Sequence, residues 1–286
     1  MEVIRIDPCV TAFIRPMEGA NVGLISTLKG NILIDTTSSP DDVLALLEAA
    51  AIHAEDIKLV INTHFHSDHT WGNQVFNCPI VAQRLCVEQM QAALKNDWSM
   101  VELQAYITEL EKTDPPRATD VRKMVDNLKI TLPDQVFEGR FTGVLSGLKY
   151  EIIHLGGHTP DTSIVWLPAE KVLFASDLIF QGRYPYIFDA DVPVWIDALS
   201  TLLEFKSEAI IPGHGVRCSE AEILYLRDYL QHSWEMTKEH VKLGHTAREV
   251  AADQAYPIFS TNRYKRLHKA NIRYMYEQLK NAATNQ

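Results

Sequence analysis

The chain has 286 residues, 46% hydrophobic and 22% charged, with 27 basic against 37 acidic side chains and a formal net charge of −10. That composition excludes a disordered or fibrous protein, and the length is ample to bury a large core. The acidic balance and the lack of any basic stretch that could neutralise phosphates argue against a nucleic-acid partner.

Short β-rich runs open the chain at 2–6, 10–15, 22–28 and 31–35, with Gly30-Asn31 as a hairpin turn. Ser39-Pro40-Asp41-Asp42 starts a helix that runs to about Ala51, because it offers a capping hydroxyl, a proline at the first helical position and acids in the first turn. A buried-type strand at 57–62 runs into a histidine cluster, and 79–82 is another short strand. Residues 83–130 turn polar and helical in spacing, which predicts two or three inserted helices broken at Asp114-Pro115-Pro116. A second β-rich block covers 135–175, with strands at 150–155, 163–167 and 171–175. A helix at 193–205 precedes a strand at 209–211, and the chain is helical from Ser219, ending in a helix over 262–280. The expected organisation is a domain over 1–218 and a helical extension over 219–286. Arg263, Lys265, Arg266, His268 and Lys269 read as the wet side of that last helix. The most apolar window, 43–52, is about half the length that spans a bilayer, and the N-terminus lacks a basic-then-apolar leader, so the expectation is a cytoplasmic protein with no membrane partner. Cys9, Cys78, Cys86 and Cys218 are scattered and read as reduced thiols.

The chemistry gathers in five histidines and two aspartates. Thr63-His64-Phe65-His66-Ser67-Asp68-His69 follows directly on the strand at 57–62. His158 stands in Gly156-Gly157-His158-Thr159, Asp177 in Ala175-Ser176-Asp177, and His214 in Pro212-Gly213-His214-Gly215. Each lies just after a strand-like run or in a glycine-bearing turn, where a rigid scaffold presents side chains to a common cleft. Residues i and i+2 of an extended segment point the same way, so His64 and His66 can grip one ion. The turn that follows lets Asp68 and His69 face a second point. Imidazole and carboxylate are donors that zinc, manganese and iron all accept. Seven such ligands are too many for one tetrahedral ion and suit two.

At these residues the sequence resembles the metallo-β-lactamase superfamily, over roughly residues 10–216. The resemblance implies an α/β fold, a four-layered αβ/βα sandwich of two mixed sheets with helices outside, and a dinuclear centre at one edge of the sheets. It implies that His64, His66 and His158 hold one divalent ion, that Asp68, His69 and His214 hold another, and that Asp177 bridges them, with zinc as first choice and manganese or iron as alternatives. Two divalent ions less Asp68, Asp177 and a bridging hydroxide leave a charge of about +1, a centre able to ionise water near neutral pH. Asp68 is also a candidate to orient the nucleophile or carry a proton. The family's usual glycine between Pro160 and Asp161 is absent, which puts the turn after His158 in question.

Asp177 stands where β-lactamase branches typically carry cysteine or serine. The resemblance is therefore to stand-alone bacterial metallo-hydrolases of the glyoxalase II-like or cyclase-like kind. The implied activity is hydrolysis by metal-bound hydroxide of an acyl bond, whether lactone, ester, thioester or amide, in a small molecule. A mononuclear iron dioxygenase acting on persulfides, a minor β-lactamase activity and a non-catalytic metal-stabilised binding protein are the alternatives, and a homo-oligomer is left open. Arg183, Tyr184, Tyr186 and Phe188 follow Asp177 and are candidate substrate contacts: the aromatics for an apolar or flat acyl group, Arg183 for an anionic end. The competing expectation is that the aromatics pack their loop against the helix at 193–205. Trp71 either lines the pocket or packs behind the ligand loop.

Overall fold

The computed structural model describes residues 1–15, 19–259 and 265–284. The strands are β1 (Glu2–Asp7), β2 (Val10–Ile14), β3 (Val22–Thr27), β4 (Gly30–Ile34), β5 (Ile57–Ile61), β6 (Ile80–Gln83), β7 (Gln135–Phe137), β8 (Arg140–Leu145), β9 (Leu148–His154), β10 (Ser163–Leu167), β11 (Val172–Phe180) and β12 (Ala209–His214). Strands β1 to β7 form one sheet in chain order, antiparallel as far as β4 and parallel beyond it. The second sheet runs β12-β11-β10-β9-β8, with β11 and β12 parallel and the rest antiparallel.

Alternation along the strands decides what each face meets. Ala12 and Ile14 of β2 and Ile32 and Ile34 of β4 point at the second sheet, where they pack with Ile152, Val165, Val172, Phe174 and Ile211. Phe13 and Leu33, one residue out of phase, meet Val43, Leu46 and Leu47 of α1 (Pro40–Ala49) on the opposite face. On β11, Leu173 and Ala175 turn outward to α6 (Val192–Leu202) and α7 (Glu220–Lys242). Burial on both faces is why these central strands read as continuous apolar runs. The result is the expected sandwich: helix, sheet, sheet, helix. Helix α1 begins as its sequence predicts, with Ser39 Oγ accepting from the Asp42 N–H and Pro40 in the first turn.

The insert between β6 and β7 holds three helices, α3 (Arg84–Lys95), α4 (Met100–Thr113) and α5 (Pro115–Val125), and Asp114 caps the last at the expected break. Before it lies α2 (Ser67–Thr70), a single turn inside the histidine motif. After α7 come α8 (Ala247–Val250) and α9 (Arg266–Thr284). Ile223, Leu226, Tyr229, Leu230, Phe259 and Met275 of this tail join the same buried cluster as β11 and α6, so the tail completes the outer layer on the second sheet. Lys265, Arg266 and Lys269 are exposed, whereas Asn262, Arg263 and Tyr264, expected at the start of that helix, lie outside the described residues. Among the described residues no helix is long and apolar enough to cross a membrane.

Two strands run well past their expected ends, and both extensions carry site residues. β11 continues through Asp177 to Phe180 instead of ending at Ala175, and β12 includes His214 instead of ending at Ile211. Their pairing shifts register on either side of Ser176, whose φ is +55°. A bulged strand keeps its ladder while re-aiming one side chain, and here that side chain is Asp177.

Candidate metal centre

All seven predicted donors converge: four follow β5, His158 stands in the turn between β9 and β10, Asp177 lies within β11 and His214 ends β12. Beyond β5 the chain bends through Thr63–Phe65 and enters α2, so His64 lies in a bend and His66 at the start of α2 instead of on the extended segment their spacing suggests. Their rings still lie 4.8 Å apart. His64 Nε2 and His66 Nδ1 are 3.1 Å apart, and His158 Nε2 is 3.1 Å from the same His66 Nδ1. Asp177 Oδ2 lies 3.5 Å from His158 Nε2 and 3.9 Å from His64 Nε2. On its other side the same carboxylate stands 3.2 Å from His214 Nε2 through Oδ2 and 3.2 Å from His69 Nε2 through Oδ1. Asp68 Oδ2 closes this second group at 3.3 Å from His214 and 4.0 Å from His69. The absent glycine after Pro160 does not displace His158. Thr159 and Thr162 close the turn on each other, through Thr159 N–H to Thr162 Oγ1 at 2.9 Å and Thr162 N–H to Thr159 O.

Proton bookkeeping shows which nitrogens face inward. The Gly19 carbonyl can only accept, so at 3.0 Å it fixes the proton of His214 on Nδ1. Asp35 Oδ2 accepts from His69 Nδ1 at 2.7 Å. Asp35 also accepts from the Thr63 N–H and hydroxyl, each at 2.8 Å, and Ser176 Oγ donates to Thr63 Oγ1. Both hydroxyl oxygens can then accept from His64 Nδ1, at 3.2 and 3.3 Å. Asp189 Oδ2 accepts from His66 Nε2 at 2.9 Å. Four rings are thus held by the nitrogen that faces away from the cluster, the arrangement that orients imidazole toward a metal.

The donor set fits divalent cations. With their protons on the outward nitrogens, His64 Nε2 and His66 Nδ1 stand 3.1 Å apart with no hydrogen to share between them, yet a tetrahedral ion with bonds near 2.0–2.1 Å spaces its ligands by about 3.3 Å. With its proton on Nδ1, His69 turns the Nε2 lone pair toward Asp177 Oδ1 at 3.2 Å, and neither buried atom has any other partner. Their charges say the same. Burial pushes His64 well below its usual value, with His69 adding to the effect, and burial likewise pushes His158 down to about 3. Burial would lower His69 and His214 too, but Asp177 leads a set of carboxylates that raises both. Burial opposes ionisation of Asp177 and Asp68, and the histidines around them still hold both low. The second group is therefore a buried negative site that takes up cations, protons or metal.

Close approach depends on glycine. A Cβ on Gly213 would stand 1.9 Å from Asp177 Oδ1, and one on Gly157, at φ +100°, would stand 2.7 Å from Trp195 Cα. Asn21 ties the Pro212–Gly215 turn to the first sheet by donating from Nδ2 to the carbonyls of Pro212 and Gly215.

The centre opens into a cleft of about 410 Å³ walled by Phe65, Ala93, Asp97, Trp98, Phe180, Arg183, Tyr186 and Asp189. Of the candidate substrate contacts, Arg183 and Tyr186 line it. Arg183 lies over the Phe180 ring with Nη1 3.5 Å from His214, and Tyr186 sets its ring edge against His66. The others do not line it. Tyr184 is fully buried among Tyr229, Phe259 and His268, and its hydroxyl accepts from the Phe259 N–H, because the tail covers this part of the loop. Phe188 packs between Tyr186 and Tyr274. Trp71 packs behind the ligand loop against Trp98, Leu103, Ile107 and Val125. Sequence reasoning missed Asp35, Asp189, Asn21 and the insert residues Asp97 and Trp98. For Asp35 a signal existed, since it ends a β-rich run just as the histidine motif does.

The sequence model of the metallo-beta-lactamase superfamily matches residues 15–214. A linear primary-alkylsulfatase of Pseudomonas sp. is 23% identical over 261 residues, covering 82% of this chain and 49% of that enzyme, so the chain spans about half of it. An N-acyl homoserine lactonase of Bacillus sp. is 25% identical over 189 residues, covering 63% of this chain and 61% of that one. Among solved structures, the sec-alkylsulfatase Pisa1 of Pseudomonas sp. superposes with a TM-score of 0.76 at 18% identity, over 96% of this chain and 50% of that one.

Proposed function

The chain belongs to the metallo-beta-lactamase superfamily, and from that premise we propose that it is a dinuclear metal-dependent hydrolase cleaving an acyl bond of a small molecule. The observation that carries this is the placement of Asp177, whose carboxylate stands between two complete donor groups. We assign His64, His66 and His158 to one ion, Asp68, His69 and His214 to the other, and Asp177 to both, with zinc as the first choice. Residues 1–218 carry every one of these donors, and 219–286 form the helical extension. When bound, a pair of divalent ions supplies Lewis acidity and makes water acidic enough to ionise near neutral pH.

The chain's own residues do the rest. Asp68, partly open to the cleft with Oδ2 beside His69 and His214, orients the attacking water by accepting a hydrogen bond from it. Arg183 meets a negative group of the substrate beside His214. Phe65, Trp98 and Tyr186 give the rest of the substrate an aromatic wall. Hydrolysis of a sulfate ester is a second activity, supported by the alkylsulfatase among the relatives together with Arg183 on the cleft wall.

The test is a turnover panel on metal-analysed protein with and without chelator: a lactone, a thioester, an aryl ester, a β-lactam, a phosphodiester and an alkyl sulfate. Chelator-sensitive turnover of an acyl substrate is expected, and Asp68→Asn should lower kcat at full metal occupancy. Turnover of the alkyl sulfate alone would replace the acyl assignment by the second one. A single bound iron with oxygen consumption and no hydrolysis would overturn both.

A further inference from the structure

Of the four cluster histidines whose outward nitrogen is held, three have a holder from the sheet ends or their turns, and one does not. His69, His64 and His214 are held by Asp35, by Thr63 with Ser176, and by Gly19. His66 is held by Asp189, 123 positions away, on the loop between β11 and α6. That loop also brings Tyr186 against His66 and His158, at ring distances of 5.7 and 6.4 Å.

The loop is in turn clamped by the C-terminal helix α9. Asn271, fully buried, donates from Nδ2 to the Pro185 carbonyl at 2.9 Å. The Tyr274 hydroxyl donates to the Ala190 carbonyl at 3.2 Å, and Gln278 donates to the same carbonyl. Phe188 packs on Tyr274 with ring centroids 5.7 Å apart. The residues on both sides of Asp189 are therefore fixed by one helix that itself contributes none of the seven donors.

We propose that Asp189 is a positioning residue for His66, and that helix α9 sets the metal affinity of the His64/His66/His158 group by holding Asp189 in place. Asp189 accepts a hydrogen bond from Nε2–H, which leaves the Nδ1 lone pair aimed between His64 and His158. Without that acceptor the ring is free to rotate or change tautomer, and one donor of the group is lost part of the time. This rests on reading the cluster as a metal centre, and the tail then serves as a buttress of that centre.

The experiment is competitive titration of zinc against a chromophoric chelator, on wild type, Asp189→Ala, Asp189→Asn, Asn271→Ala and Gln278→Ala. It is paired with ¹⁵N chemical shifts of the histidine rings in the zinc-loaded proteins and melting of the metal-free ones. Asp189→Ala should weaken one of the two binding steps by about 10- to 100-fold and leave the other within about threefold, with the His66 Nε2–H signal lost to exchange. Asp189→Asn, whose side-chain oxygen still accepts, should recover part of the loss. The two helix variants should weaken the same step by a smaller factor. Wild-type affinity in Asp189→Ala, or equal weakening of both steps, overturns the proposal while leaving the metal centre intact. Failure of the wild type to bind zinc overturns the metal centre itself and this proposal with it. If Asp189→Ala does not fold, Asp189→Asn and the helix variants decide.

Discussion

The two sides of the donor cluster are held by different kinds of structure. On the Asp35 side, His69, Thr63, Ser176 and His64 form a buried network between the ends of β4 and β5 and the bulge of β11. Asp35 and Ser176 of this network and the nearby Thr37 take left-handed φ values of 65°, 55° and 66°, which the surrounding sheets must enforce. On the Asp189 side, one exposed carboxylate on a loop holds His66, and the tail holds the loop. One side is rigid because it is part of the core, whereas the other is fixed only as well as α9 fixes it. Both reach the same carboxylate, Asp177. The cleft wall includes Tyr186 and Asp189 of the adjustable side together with Asp177 and His214.

The sharpest way to break this contrast is Asp35→Ala. It removes three accepted hydrogen bonds at once and strips His69 of its buried partner. Breaking a buried pair of this kind costs about 3–5 kcal/mol, which should appear as a melting temperature lower by roughly 10 °C and as loss of the ion assigned to His69. Next is Gly213→Ala. Its Cβ would sit 1.9 Å from Asp177 Oδ1 and 2.7 Å from the Ser176 carbonyl carbon, so backbone has to move. We expect a cost of about 1–3 kcal/mol and weaker binding of both ions, measured by melting and by metal analysis.

The pH dependence of the metal-free protein separates the two donor groups by sign. His64 and His158 have folded values below those of the unfolded chain. As pH falls from about 6.5 toward 3, the unfolded chain gains protons that the folded one refuses, and stability drops. His69 and His214 have raised folded values. Their contribution is complete below about pH 6.5 and is lost as pH rises through the raised values. Melting of chelator-treated protein should therefore peak near pH 6.5 and fall on both sides. Metal loading should remove the alkaline limb, because the ion replaces the protons. An alkaline limb that persists unchanged after loading would mean that His69 and His214 do not ligate. The smallest expected effect is Trp98→Ala on the cleft wall, which should raise KM for an aromatic acyl substrate about three- to tenfold with kcat unchanged.

The clustering of these histidines and aspartates was legible in the sequence because each carries a local mark: a strand-like run, a turn, then histidine or aspartate in tight spacing. So were the sheets, whose central strands are apolar throughout. What orients the donors left no such mark. Asp35 reaches His69 because β4 and β5 run parallel side by side, an adjacency that a chain read in order does not display. Asp189 reaches His66 across 123 positions, and its neighbours resemble any aromatic loop. Tyr184 and Tyr186 alternate along one short stretch, yet one is fully buried and the other faces the cleft. That choice is made by Phe259 and α9, which lie 75 or more residues further on. The extension of β11 past Ala175 was hidden for a related reason, since an aspartate inside an apolar run looks like a strand end unless a bulge redirects it.

The central claim, that two donor groups share Asp177, is tested most directly by counting ions per chain by mass spectrometry after equilibrium dialysis against zinc. Wild type, His158→Ala, His214→Ala and Asp177→Ala would be compared. The expected result is two ions in the wild type, one in each single-histidine variant, and none bound tightly in Asp177→Ala. One ion in the wild type, retained when His214 is replaced, would contradict it.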